Sequence, residues 1–121
     1  MLLSLFSACN DENPAGSGSD IVFPSTNVSY AQHVQPLFNQ SCALSGCHDD
    51  GQHQSPLRLT SRFETVFGLP NIVVPGEPEN STLVHRIEGT IGPRMPPTGT
   101  PLNQNQINGI RTWITEGAAD N

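Results

Sequence analysis

The sequence predicts an all-α domain made of short helices separated by long loops. Apolar residues recur at helical spacing in several separate stretches. No stretch shows a convincing period of two, which a half-buried strand requires, and 11 Gly and 11 Pro supply abundant turn chemistry. At 121 residues the chain has the length of one domain. With 35% hydrophobic and 6% aromatic residues it can bury only a modest core, so it needs another source of buried apolar surface. Disulfides cannot supply it, because three cysteines make at most one bridge.

The first nine residues are apolar and end in Ser7-Ala8-Cys9. This resembles the end of a bacterial lipoprotein signal, in which the cysteine is lipidated after cleavage; Phe6 stands where Leu is commoner, and the stretch lacks a basic start. Residues 1–8 are therefore read as part of a signal and Cys9 as the lipidation site. Residues 10–20 are rich in Asn, Asp, Glu, Gly and Ser, with nothing that can pack. Residues 9–28 are assigned to a flexible tether and N-terminal extension, with residues 21–24 lying along the domain surface. The domain proper is assigned to residues 29–121.

Ser29-Tyr30-Ala31-Gln32 has the form of a capping box. Tyr30, Val34, Leu37 and Phe38 follow at helical spacing, which predicts a helix over residues 29–40, kinked by Pro36. Leu57 and Leu59 are offered to the interior from an extended or turning segment. Ser61 caps a short helix that runs through Phe67 and stops at Gly68. Asn80 or Ser81 caps another that runs through Glu88 to Gly89, with Leu83, Val84 and Ile87 inward. Residues 92–101 hold four prolines and two glycines, so they form a structured loop. The last helix covers residues 103–116, with Ile107, Ile110, Trp113 and Ile114 inward and Gly117 as its stop.

The charge balance excludes some functions. The formal net charge is −6, with five arginines and no lysine. Neither a nucleic-acid surface nor an electrostatic membrane patch fits this balance. No run of about twenty apolar residues is present to span a bilayer.

The chemistry is concentrated in Cys42-Ala43-Leu44-Ser45-Gly46-Cys47-His48. Two thiols followed directly by a histidine suit covalent haem attachment: the thiols reach the two vinyl groups and the imidazole reaches the iron from the same side. The usual spacing has two residues between the cysteines; here there are four, and a bulge at Ser45-Gly46 would bring Cys42 into place. Three other readings stay open: a Cys42–Cys47 disulfide, a zinc site formed by Cys42, Cys47, His48 and His53, or idle cysteines. Adjacent Cys-His ligands are awkward for one tetrahedral ion. A second iron ligand is expected from Met95, in Pro93-Arg94-Met95-Pro96-Pro97. A lone Met is usually core filler, but here prolines stiffen the loop, and a thioether stabilises ferrous iron. His85 is the alternative to Met95, whereas His33 and His53 read as ordinary polar side chains.

The order of these parts resembles class I cytochrome c, the monohaem His/Met type. The finer pattern resembles the bacterial haem domains exported as lipoproteins. The matching pieces are Val34-Gln35-Pro36-Leu37-Phe38, Leu57-Arg58-Leu59, Pro75-Gly76, Ser81-Thr82-Leu83, Arg94-Met95-Pro96-Pro97, Trp113-Ile114 and Gly117-Ala118. The resemblance covers nearly the whole domain. It implies a cytochrome c fold around one covalent haem c, with the first and last helices crossing so that Tyr30, Val34 and Phe38 meet Ile110, Trp113 and Ile114. Gly109 would allow close approach there, or else be a weak point that costs about 1 kcal/mol against Ala. The resemblance also implies that Leu57, Leu59 and Pro75 line the haem pocket and that Arg58 or Arg94 pairs with the propionates.

The expected function is one-electron transfer, not catalysis, on the periplasmic side of a bacterial membrane. The expected partners are membrane-bound respiratory-chain complexes, a quinol-oxidising complex and a terminal oxidase, served by a lipid-anchored monomer. Lacking lysine, its docking surface is apolar, or acidic and aimed at a basic partner. The alternatives are a haem domain of a dehydrogenase, oxidase or peroxidase-like enzyme, or a non-haem zinc-binding lipoprotein.

Overall fold

The computed structural model describes residues 21–42, 57–96 and 100–121. Cys9, Cys47, His48 and His53 lie outside these residues, as does Pro97. Among the described residues the regular structure is helical throughout, as expected for the all-α class. A π-helical turn, Tyr30–Val34, leads into α1 (Gln35–Ser41), followed by α2 (Arg62–Phe67), a 3₁₀ turn (Pro78–Asn80), α3 (Thr82–Glu88) and α4 (Gln104–Thr115). No described helix is long and apolar enough to cross a membrane.

The kink expected at Pro36 takes the form of a wide turn. Pro36 lacks an amide hydrogen and its ring clashes with the carbonyl four residues back, so a regular α-helix cannot run through it. The chain opens into a π turn just before it: the Val34 and Gln35 amides bond five residues back, to Ser29 and Tyr30. Ser29 does cap this turn, its Oγ accepting from the Gln32 amide at 3.0 Å. The reciprocal bond of a capping box is made by a different residue. The Ser29 amide donates to His33 Nδ1 at 2.9 Å, not to the Gln32 side chain, so His33 is part of the cap.

The later helices follow their sequence signals closely. Ser61 Oγ accepts from the Glu64 amide at 3.1 Å and caps α2. Ser81 stands at the N-cap of α3, but its hydroxyl turns back into the preceding loop. There it donates to the Glu77 carbonyl at 3.0 Å and accepts from the Val74 amide at 2.8 Å. Gly89 ends α3 with φ +80°, a left-handed conformation that glycine adopts without a Cβ penalty. Asn103 and Gln106 exchange side-chain-to-backbone bonds at 2.9 and 3.0 Å and cap α4.

One core gathers Leu37 and Phe38 of α1, Val66 of α2, Val84 and Ile87 of α3, and Ile110, Trp113 and Ile114 of α4. Trp113 is its largest fully buried side chain, and its indole N–H donates to the Ala119 carbonyl at 3.0 Å. Tyr30 meets Trp113 as expected, with ring centroids 5.3 Å apart, and Phe38 presents an edge to Tyr30 at 6.5 Å.

The close approach at Gly109 comes from a different source. Phe23, only 4% exposed, lays its ring directly on Gly109, where an added Cβ would overlap the ring. Of residues 21–28, assigned from sequence to the extension, Phe23 and Val28 are buried in the core, while Val22 and residues 24–27 stay exposed along the surface. Their backbone is held by α4. The Phe23 amide donates to Asn105 Oδ1 at 2.9 Å, and Asn105 returns a bond to the Phe23 carbonyl at 3.1 Å. Gln106, almost wholly buried, donates to the Ile21 carbonyl at 3.1 Å. The Glu116 carboxylate accepts from the Asn27 and Val28 amides at 2.8 and 3.0 Å.

Two predictions follow from this packing. Alanine has a helix propensity about 1 kcal/mol above glycine, while overpacking costs about 1–3 kcal/mol. Gly109→Ala is therefore expected to lower stability in chemical denaturation, and to raise it by about 1 kcal/mol in a Phe23→Ala background, where the clash is gone. The second concerns Tyr30, the single tyrosine. Burial pushes its phenol up to about 12, only partly offset by a hydrogen bond with Thr65. The folded state keeps this proton after the unfolded chain has released it at about pH 10. Stability is then unaffected by this group below pH 10 and falls between pH 10 and 12. The loss is on the order of 1–2 kcal/mol and should vanish in Tyr30→Phe. Phenolate absorbance should titrate near pH 12 in the folded protein; a folded midpoint near 10 would contradict the burial argument.

Candidate haem pocket

A cavity of about 300 Å³ opens beside α3. Its described walls come from five parts of the chain. Cys42 closes α1, its amide bonded to the Phe38 carbonyl at 2.8 Å, and the residue is 7% exposed. Leu57 and Leu59 border the cavity, as do Leu69 and Ile72 from the loop after α2. Thr82, Leu83, Arg86 and Ile87 form one face of α3, at spacings of one, four and five residues. Pro93 and Met95 complete the described wall. Among the described residues the lining is aliphatic apart from one thiol, one thioether, one hydroxyl and one guanidinium.

This places Cys42, Leu57, Leu59 and Met95 around a single cavity. Other expected pocket residues stand elsewhere. Pro75 is exposed and does not border the cavity; the adjacent Gly76 amide is tied to the Ile114 carbonyl at 2.7 Å, which draws that loop onto α4. Arg58 lies 3.9 Å from Glu64, a distant and half-exposed pair. Arg94 is exposed, with its aliphatic stem packed over Gly89. His85, the alternative to Met95, has both ring nitrogens engaged, with Thr90 Oγ1 at 2.9 Å and the Glu79 carbonyl at 2.7 Å. It too stands off the cavity wall. Among the described residues no three His, Cys, Asp or Glu side chains cluster to hold a metal ion. Cys47, His48 and His53, three members of the zinc reading, lie outside those residues.

Leu69, Ile72 and Arg86 carry no signal in the sequence, and Thr82 and Pro93 stand there within longer matching pieces without a pocket role. Leu83 and Ile87 were legible as inward residues of α3, and the same helical face carries Thr82 and Arg86. That face is held by the ion pairs at its back. Arg111 of α4 donates from Nε and Nη2 to the two Glu88 oxygens at 2.6 and 3.2 Å, and from Nη1 to Glu79 at 2.6 Å. Hydrogen bonding to Glu88, then to Glu79, holds the guanidinium more firmly protonated than usual, and Arg111 holds the Glu79 carboxyl below the ordinary carboxylate range.

The Met95 loop bends tightly against α3. The Gly92–Pro93 and Met95–Pro96 peptide bonds are cis. The Met95 amide donates to the Arg86 carbonyl at 2.8 Å. This leaves the half-buried thioether at the cavity wall, where a soft sulfur donor can meet a metal.

The donor set suits a haem. Aliphatic side chains can pack on an apolar macrocycle, and the Cys42 thiol and the Met95 thioether border the same space. Residues 45–99 match the family model described as Planctomycete cytochrome C, which supports a cytochrome c-like domain there. The matched span includes Cys47, His48 and Met95. Neither the curated proteins nor the solved structures contain a match to this chain.

Proposed function

We propose that this chain is a monohaem c-type cytochrome that carries single electrons. The observation that supports this most directly is the shared cavity: Cys42 and Met95 border one aliphatic space, and Cys47 and His48 follow Cys42 in the sequence. In this reading Cys42 and Cys47 would hold the haem covalently, and His48 and Met95 would hold its iron. A bound haem of this type supplies a ferric/ferrous couple that gains or loses one electron.

The chain's own residues set the conditions for that couple. Leu59, Leu83 and Ile87 line the cavity and would exclude water from a bound haem, lowering the local dielectric and favouring the less charged ferrous state. Proline on both sides of Arg94-Met95 limits how far the thioether can shift between redox states. With His48 and Met95 both holding the iron, no position would be left for a substrate, which favours a carrier.

The partners in this proposal are a membrane-bound electron donor and acceptor, such as a quinol-oxidising complex and a terminal oxidase. A chain of net charge −6 with no lysine would dock through apolar contacts or meet a basic partner. Lipidation at Cys9 would hold the domain on the periplasmic face and raise its local concentration near such partners. A monomer is sufficient for this role.

The test is expression in bacteria competent for cytochrome c maturation. The reduced protein should show the sharp α-band of a six-coordinate c-type haem and keep its colour through denaturing electrophoresis. The oxidised protein should show the sulfur-to-iron charge-transfer band at the red edge of its spectrum, and Met95→Ala should lose that band while retaining haem. A colourless protein from such cells would overturn the proposal.

A further inference from the structure

The Met95 loop is poor in its own fastening. Pro93 and Pro96 have no amide hydrogen to donate, so residues 92–96 must be secured largely through their carbonyls and the few remaining amides. Three hydrogen bonds tie residues 92–95 to α3, and all three belong to Arg86. Its Nη1 donates to the Gly92 carbonyl at 2.9 Å and, more weakly, to the Pro93 carbonyl at 3.3 Å. Its own carbonyl accepts from the Met95 amide at 2.8 Å.

That carbonyl is available because of where Arg86 sits. It belongs to the last turn of α3, where backbone carbonyls have no partner further along the helix. The Gly89 amide reaches it at only 3.3 Å, which leaves its better bond to Met95. The side chain and backbone of one residue thus grip the loop on both sides of Arg94. The guanidinium also borders the cavity, and among the described residues it pairs with no carboxylate. A cation at that position disfavours the more positive ferric state.

We propose that Arg86 is a positioning residue for the Met95 thioether: it clamps the loop to α3, keeps the sulfur at the cavity wall, and holds a positive charge beside the site. This rests on the reading of Met95 as an iron ligand. Arg86 itself touches no reacting atom in this account.

The test uses the intact haem-loaded protein and imidazole, which competes with a methionine for ferric iron. Wild type, Arg86→Gln, Arg86→Lys and Met95→Ala are compared by imidazole affinity, by the sulfur-to-iron charge-transfer band, and by reduction potential. Arg86→Gln should bind imidazole about tenfold more tightly than wild type, the size expected for loss of a charge-assisted hydrogen bond. Its charge-transfer band should weaken and its potential should fall. Arg86→Lys keeps the charge and the stem but presents a point donor in place of a planar fork. It should retain most of the potential while still binding imidazole more tightly than wild type. It also serves as the reporter if Arg86→Gln fails to accumulate. Unchanged imidazole affinity and band in either Arg86 variant, with a normal band in wild type, would overturn the clamp alone. A wild type that lacks the band and binds imidazole as Met95→Ala does would instead overturn the Met95 ligand, and the clamp with it.

Discussion

The seam between α3 and α4 is the contact on which the rest of the pocket depends. Arg111 meets Glu88 with two donors and Glu79 with a third, and the Glu88 pair is half-buried, with side-chain exposures of 27% and 21%. Exposed ion pairs contribute little. A fork-shaped, partly desolvated pair is stronger and also fixes the rotation of one helix on another. Val84 of α3 is fully buried in the core. With this side of α3 fixed, its other face, Thr82, Leu83, Arg86 and Ile87, is turned to the cavity. The C-terminal end of the same helix then receives the Met95 loop. One seven-residue helix therefore links the packed core, the cavity wall and the sulfur donor.

A chain with so few large apolar residues must use each of them well. Trp113, Phe38 and Ile110 are fully buried in one cluster, and burial of each contributes about 1.5–3 kcal/mol. The N-terminal strap adds Phe23 and Val28 to that cluster and satisfies its backbone through Asn105, Gln106 and Glu116. Leu57, Leu59, Leu69, Ile72, Leu83 and Ile87 add apolar surface around the cavity. A flat apolar cofactor would complete their burial, which accounts for a composition too lean to build a generous core unaided.

Much of this was legible in the sequence because it rests on local chemistry. Ser61 ahead of α2, Gly89 after α3 and the Ile107, Ile110, Trp113, Ile114 spacing of α4 each state a helix boundary or face within a few residues. The misreadings involve partners far apart in sequence or bonds to backbone. Gly109 announces a close approach, but its spacing cannot say that Phe23, 86 residues earlier, supplies the ring. Ser29 and Gln32 present a capping pattern, yet the His33 imidazole takes the amide that the pattern assigns to Gln32. Arg86 carries no motif: its importance arises from carbonyls six and seven residues later, in a loop that prolines have stripped of donors. Pro75 was placed by resemblance at the pocket, whereas the Gly76 bond to Ile114 draws it to α4.

The central claim is that a haem fills the cavity bordered by Leu59, Leu83, Ile87 and Met95. Proton NMR of the reduced protein tests it most directly, because the ring current of a macrocycle displaces resonances of groups above and below its plane. The account predicts strongly upfield-shifted methyl signals that disappear or move in Leu59, Leu83 and Ile87 variants, with the Met95 ε-methyl furthest upfield. A haem-loaded, reduced protein in which these four side chains resonate at ordinary positions would contradict it.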